Sequence, residues 1–152
     1  VTFDGPPPAP DALPALLPPT LATDVADADE IVVQVIYDGP DLDDVARALD
    51  RTPDEVAALH AGARYRVAFL GFLPGFGYLR GAPAELHLPR RASPRPRVPA
   101  GALGIAAGFT GIYPSASPGG WHLLGRAVGF EPFRSDHPVL RAGAEVRLVR
   151  VG

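Results

Sequence analysis

Three stretches of this 152-residue chain carry side chains able to do chemistry. The first is Pro89-Arg90-Arg91-Ala92-Ser93-Pro94-Arg95-Pro96-Arg97-Val98-Pro99. Its prolines fix φ and hold the backbone extended, so the arginines are set in place before anything binds and little entropy is lost on binding. A guanidinium fork matches a carboxylate or a phosphate. Arg90, Arg95 and Arg97 are therefore candidate ligands for an anionic group. The plainer alternative is a solvated basic loop that pairs with the protein's own acids. The second stretch is Thr110-Gly111-Ile112-Tyr113-Pro114 with Ser117-Pro118-Gly119-Gly120-Trp121. Thr110, Tyr113 and Ser117 offer hydroxyls, and the glycines allow close backbone approach. The same residues would also suit a hairpin corner that packs Tyr113 and Trp121 into a core. The third is Gly71 to Leu79, where Phe72, Phe76 and Tyr78 surround Gly75 and its neighbouring glycines. It can line an apolar pocket with backbone N–H groups facing a ligand, or form a packed turn between two strands.

Other chemistry is excluded by residue type. All fourteen basic residues are arginine. This chain therefore supplies no Walker A lysine, no Ser-Lys amidase base and no Schiff-base amine. It has no cysteine, hence no disulfide and no thiolate nucleophile. No serine stands in a Gly-x-Ser-x-Gly elbow. The four histidines, His60, His87, His122 and His137, show no metal-ligand spacing with one another, so no metal site is expected. His60 ends a predicted helix, where a histidine commonly serves as a dipole partner. It is also the one acid–base candidate. A complete catalytic apparatus is not expected in this chain.

The elements that must position these residues follow from periodicity. Ile31 to Tyr37 is β-branched and reads as a strand, ended by Asp38-Gly39-Pro40. Leu42, Val45, Ala46 and Leu49 have the spacing of a helix face. Thr52-Pro53-Asp54-Glu55 is a capping box that opens a second helix to about Leu59, with Gly62 as the stop. Tyr65–Leu70, Ala100–Ala107, His122–Arg126 and Val146–Val149 read as strands, and Phe109–Trp121 as turn-dense chain. Short strands broken by Gly and Pro mark a β-barrel or sandwich. Residues 1–22 read as the end of a preceding unit, 23–30 as an acidic linker, and 31–152 as the main domain. An apolar fraction of 47% and a charged fraction of 20% are those of a globular protein. A net charge of -3 argues against duplex nucleic acid as a partner. No apolar run approaches the roughly 20 residues of a bilayer span, and the N-terminus has no signal-peptide pattern. A cytoplasmic protein is expected, with neither membrane nor nucleic acid among its partners.

The run Phe69-Leu70-Gly71-Phe72-Leu73-Pro74-Gly75-Phe76-Gly77-Tyr78-Leu79, the arginine–proline segment through Ala100-Gly101, and Thr110 to Trp121 followed by Gly125-Arg126 stand in order along the chain. Together they resemble the signatures of the allophanate hydrolase subunit 1 family, also known as the 5-oxoprolinase B subunit family or by the kinase inhibitor KipI. The resemblance runs from about Ile31 to Val151. It implies a mainly β fold, a cyclophilin-like β-barrel with a few short helices. Residues 1–22 would be a remnant of a small α+β N-terminal domain. It implies a non-autonomous subunit of a heteromeric ATP-dependent amide or lactam hydrolase of the 5-oxoprolinase or allophanate hydrolase type. The partner would be an allophanate hydrolase subunit 2 or a protein like the 5-oxoprolinase C subunit, joined by the 5-oxoprolinase A subunit. The substrate would be a small anionic amide or lactam, and ATP would be used by the complex, with no cofactor bound by this chain alone. Two other functions accompany the family: docking to inhibit a sensor histidine kinase, and carboxyl transfer in a urea carboxylase-like system. The family usually has Gln where this chain has Phe109, and Thr where it has Ala127.

Overall fold

The computed structural model describes residues 30–152. The expected N-terminal remnant (1–22) and the linker up to residue 29 lie outside the described residues. Seven strands close into a barrel, in the order β1 (Ile31–Ile36), β11 (Glu145–Arg150), β2 (Arg64–Leu70), β3 (Gly77–Arg80), β6 (Phe109–Ile112), β5 (Ala102–Ala106) and β8 (His122–Val128), with β8 returning to β1. β1 and β11 run parallel, and the other barrel pairs are antiparallel.

Strand alternation fills the barrel. In β1, Val33 and Val35 are buried while Val32 and Gln34 face out. β2 sends in Tyr65 and Val67, and β11 sends in Val146 and Leu148. They meet Leu79, Leu103, Ile112 and Leu140 in the interior. Period two places one apolar row inside and leaves the other row free. Every residue of β5 is buried, because its outer face is covered as well.

Two short helices provide part of that cover. Helix α1 (Leu42–Ala48) packs on β8 and helix α2 (Pro53–Ala61) on β11. Leu42, Val45, Ala46 and Val56 form a second core with Ile105 and Leu124. The capping box at the start of α2 is complete: the Glu55 amide donates to the Thr52 hydroxyl, and the Thr52 amide donates to the Glu55 carboxylate. Helix α1 has no side-chain cap, since Asp41 at its N-cap position points its carboxylate elsewhere.

The rest of the outer cover comes from chain that the sequence marks as irregular. The arginine–proline segment contains a strand, β4 (Arg95–Val98), paired antiparallel with β7 (Ser117–Gly119). Proline is tolerated there because the two strands form an isolated pair with free edges. The turn-dense stretch likewise holds β6 and β7. A small hairpin, β9 (Phe133–Arg134) with β10 (His137–Pro138), forms a separate two-stranded sheet.

Candidate functional site

The β4–β7 pair lies over a third core in which Phe76, Tyr113 and Trp121 pack with Val98, Ala102 and Leu123. Phe76 is its centre. Its ring meets those of Tyr78, Trp121 and Tyr113 nearly edge-on at centroid distances of 5.1, 5.4 and 5.5 Å. Edge-on contact brings a positive ring edge to a negative face, so the cluster is attractive beyond its burial. Two glycines make it possible. A Cβ at Gly111 would lie 2.4 Å from the Phe76 ring, and one at Gly119 would lie 2.3 Å from the Tyr113 hydroxyl. Phe72 covers the cluster from outside, 5.3 Å from Phe76 and 6.1 Å from Tyr113, with 55% of its surface exposed. Its φ of 69° is in the left-handed region, which L side chains enter at a cost. Gly75 is buried in the same loop, against Phe133 and Pro132 of the neighbouring hairpin. Phe109 extends the aromatic face, edge-on to Tyr78 and Phe69 and beneath the Arg80 guanidinium.

The arginines divide into distinct states. Arg95 donates from both terminal nitrogens to Asp41, at 2.7 Å each, in a two-pronged pair. The Leu123 amide adds a third bond to the same carboxylate at 2.7 Å. Burial alone would push the Asp41 carboxyl up. The Arg95 fork, the Leu123 amide and the charges of Arg95 and Arg91 outweigh burial and hold it below the usual range. Arg95 thus realises the plainer alternative, an arginine paired with the protein's own acid. Arg90 and Arg97 are exposed. Arg90 lies close enough to Tyr113 for its charge to oppose the upward push that burial gives that hydroxyl. Ser117, on β7, donates to the Pro118 carbonyl at 3.1 Å.

His60 and Thr110, fifty residues apart, are brought together away from this face. His60 is fully buried in the last turn of α2. Its Nδ1 and the Tyr37 hydroxyl are hydrogen-bond partners at 2.8 Å, and its Nε2 and the Thr110 hydroxyl at 2.9 Å. The Tyr65 hydroxyl donates to the His60 carbonyl at 2.7 Å. Burial pushes the imidazole down to about 3, so it is neutral at ordinary pH. Burial also pushes the Tyr37 and Tyr65 hydroxyls up, so they stay protonated. This cluster joins α2 to the barrel, and its His60 and Thr110 side chains are both wholly buried.

Sequence reasoning passed over Asp41, Arg91, Tyr37 and Tyr65. Asp41 directly precedes the predicted helix face, and the two tyrosines stand in predicted strands. Nothing in their spacing signals a partner many residues away. A cleft of about 1040 Å³ opens elsewhere, between residues 30–34, 128–131 and the β9–β10 hairpin, and of the residues named above for possible chemistry it holds only His137. Among the described residues no group of three or more His, Cys, Asp or Glu could hold a metal ion, and no helix is long and apolar enough to cross a membrane.

The family described as carboxyltransferase domain, subdomain C and D, matches residues 1–140. The chain belongs to that family. Within it, the chain is 44% identical over 115 residues to the 5-oxoprolinase B subunit of Bacillus subtilis (strain 168), covering 74% of this chain and 48% of that one. It is 47% identical over 124 residues to the 5-oxoprolinase B subunit of Escherichia coli O157:H7, covering 78% and 57%. The chain thus spans about half the length of these curated relatives. The crystal structure of TTHA0988 matches with a TM-score of 0.77 and 44% identity, over 82% of this chain and 26% of that one. The carboxyltransferase-domain barrel is therefore mainly β with two short helices, as the resemblance implied.

Proposed function

We propose that this carboxyltransferase-domain chain is the barrel-bearing part of a B-type subunit, working in a heteromeric, ATP-dependent hydrolase that opens the C–N bond of a small anionic lactam or amide. Identity of 43–47% to proteins named as the B subunit of 5-oxoprolinase carries this reading. In it, the exposed Phe72 and half-buried Tyr78 present the apolar wall, backed by the buried Phe76 and Tyr113, and Arg90 and Arg97 form the anion-facing rim. In this reading the partners, a protein of the C-subunit type and one of the A-subunit type that handles ATP in the cytoplasm, supply the groups that open the ring.

Reconstitution tests the reading. The purified chain alone should turn over neither ATP nor 5-oxoproline, and mixing it with C-type and A-type subunits should switch on ATP-dependent formation of glutamate. Turnover by the isolated chain would contradict it, as would a mixture that works equally well without this chain. The family's description favours a second reading, carboxyl transfer. It would show as movement of a carboxyl group from carboxybiotin to urea by the same mixture, with no lactam opening.

A further inference from the structure

Arg91 is placed differently from every other arginine in its segment. Its backbone is fixed, because the Arg91 amide donates to the Gly120 carbonyl at 2.7 Å. The preceding turn is held as well, with His122 Nε2 bonded to the Pro89 carbonyl at 2.8 Å. The side chain runs toward Asp41 but stops short: Nε is 3.8 Å from Oδ1, beyond hydrogen-bond reach. Asp41 is already held by others: both oxygens accept from Arg95 and Oδ2 also accepts from the Leu123 amide, so Arg91 stays at ion-pair distance. Arg91 Nη1 is buried and has no acceptor among the described residues. Two guanidinium ions therefore stand around one carboxylate, one bound and one with an unused donor, and the exposed Arg90 is the next residue along the chain. Buried donors are almost always matched, and a planar fork is matched best by a two-oxygen anion.

We propose that Arg91, with Arg90 beside it, is the anion ligand of this face and takes an oxyanion of the carboxylate or phosphoryl class, while Asp41 and Arg95 are the positioning pair that holds it in place. The proposal rests on the reading that this face meets substrate, and it deepens that reading. Arg95, the best-formed fork in the segment, is already satisfied and cannot serve. Arg91 is held by its backbone and neutralised only in part. An incoming anion completes the charge that Asp41 leaves uncompensated. The anion can come from the carboxylate of the lactam acid or from a phosphorylated intermediate, and the two sources are separable.

The test uses the chain labelled with ¹⁵N-arginine, in which every cationic side chain of the basic type reports. Inorganic phosphate and 5-oxoproline are titrated separately at constant ionic strength set with chloride. The Arg91 and Arg90 Nε–Hε signals should move to saturation with at least one of the two, and which one identifies the source. Arg91→Lys should weaken that binding at least tenfold while the backbone spectrum stays wild-type; Arg47→Ala, on the outer face of α1, should bind as wild type. In Asp41→Asn the Arg95 signal should join the response, because its fork is released. Shifts that grow with anion without saturating would overturn the proposal, as would saturable binding that survives Arg91→Lys or a silent Arg95 signal in Asp41→Asn. Because no partner is present, the result is independent of whether the reconstituted complex opens a lactam.

Discussion

Among the described residues no acid is in contact with His60: its ring nitrogens meet two hydroxyls, from Tyr37 and Thr110, and Tyr65 lies against it. Its folded value of about 3 is below the ordinary 6.5, so the unfolded chain binds the extra proton. Stability from this group is then complete above pH 6.5 and falls as pH drops toward 3, by roughly 1.5 kcal/mol between pH 6.5 and about 5. Urea melts across that window should show the slope in wild type and lose it in His60→Gln. Asp41 provides the second residue-scale case. Asp41→Ala strips Arg95 and the Leu123 amide of their acceptor, and removing one partner of a buried pair costs about 3–5 kcal/mol. Adding Arg95→Ala should cost much less than the sum of the two single losses, and a double-mutant cycle by denaturant melts measures the coupling. Both cases set the limit of sequence reading. His60, Thr110 and Arg95 stand out by type, yet His60 meets Thr110 across fifty residues and Arg95 meets Asp41 across fifty-four. Pairings across the fold leave no mark on local spacing.

Elements that bury one face were legible. β1, β2 and β11 alternate, and α2 declares itself by Thr52 and Glu55. Thr52→Ala should remove the cap and cost about 1 kcal/mol in a thermal melt without touching ligand binding. The strands that carry the candidate site were the ones hidden. β4 contains Pro96 and β7 contains Pro118, and proline argues against a ladder wherever both edges are paired. These two strands pair only with each other, so the argument does not apply to them. Their hold on the aromatic core runs through Gly119, where Tyr113 lies too close for any side chain. Gly119→Ala should push Tyr113 away and cost about 1–3 kcal/mol, read as a lower melting temperature with altered near-ultraviolet circular dichroism.

At the scale of the molecule, three large apolar residues, Phe69, Leu70 and Phe72, remain exposed near the aromatic core. Apolar patches of this kind mark interaction sites. Phe72→Gly should leave stability unchanged or raise it slightly, because glycine accepts the left-handed φ that Phe72 adopts at a cost. It should weaken, at least tenfold, the association with a partner of the C-subunit type, measured by calorimetric titration; unchanged affinity would remove Phe72 from the interface. The order of strands around the barrel has its own consequence. β11 sits between β1 and β2, pairing with both, although more than seventy residues separate its start from the end of β2. On the ribosome, β1 and β2 emerge before β11 and stand on either side of a strand-wide gap that no other described strand fills. Until β11 leaves the exit tunnel, the nascent chain presents two unpaired edges, each a template for the wrong neighbour. A chaperone that shields those edges during synthesis would be needed most just before the final strand appears, and least from the moment it slots in.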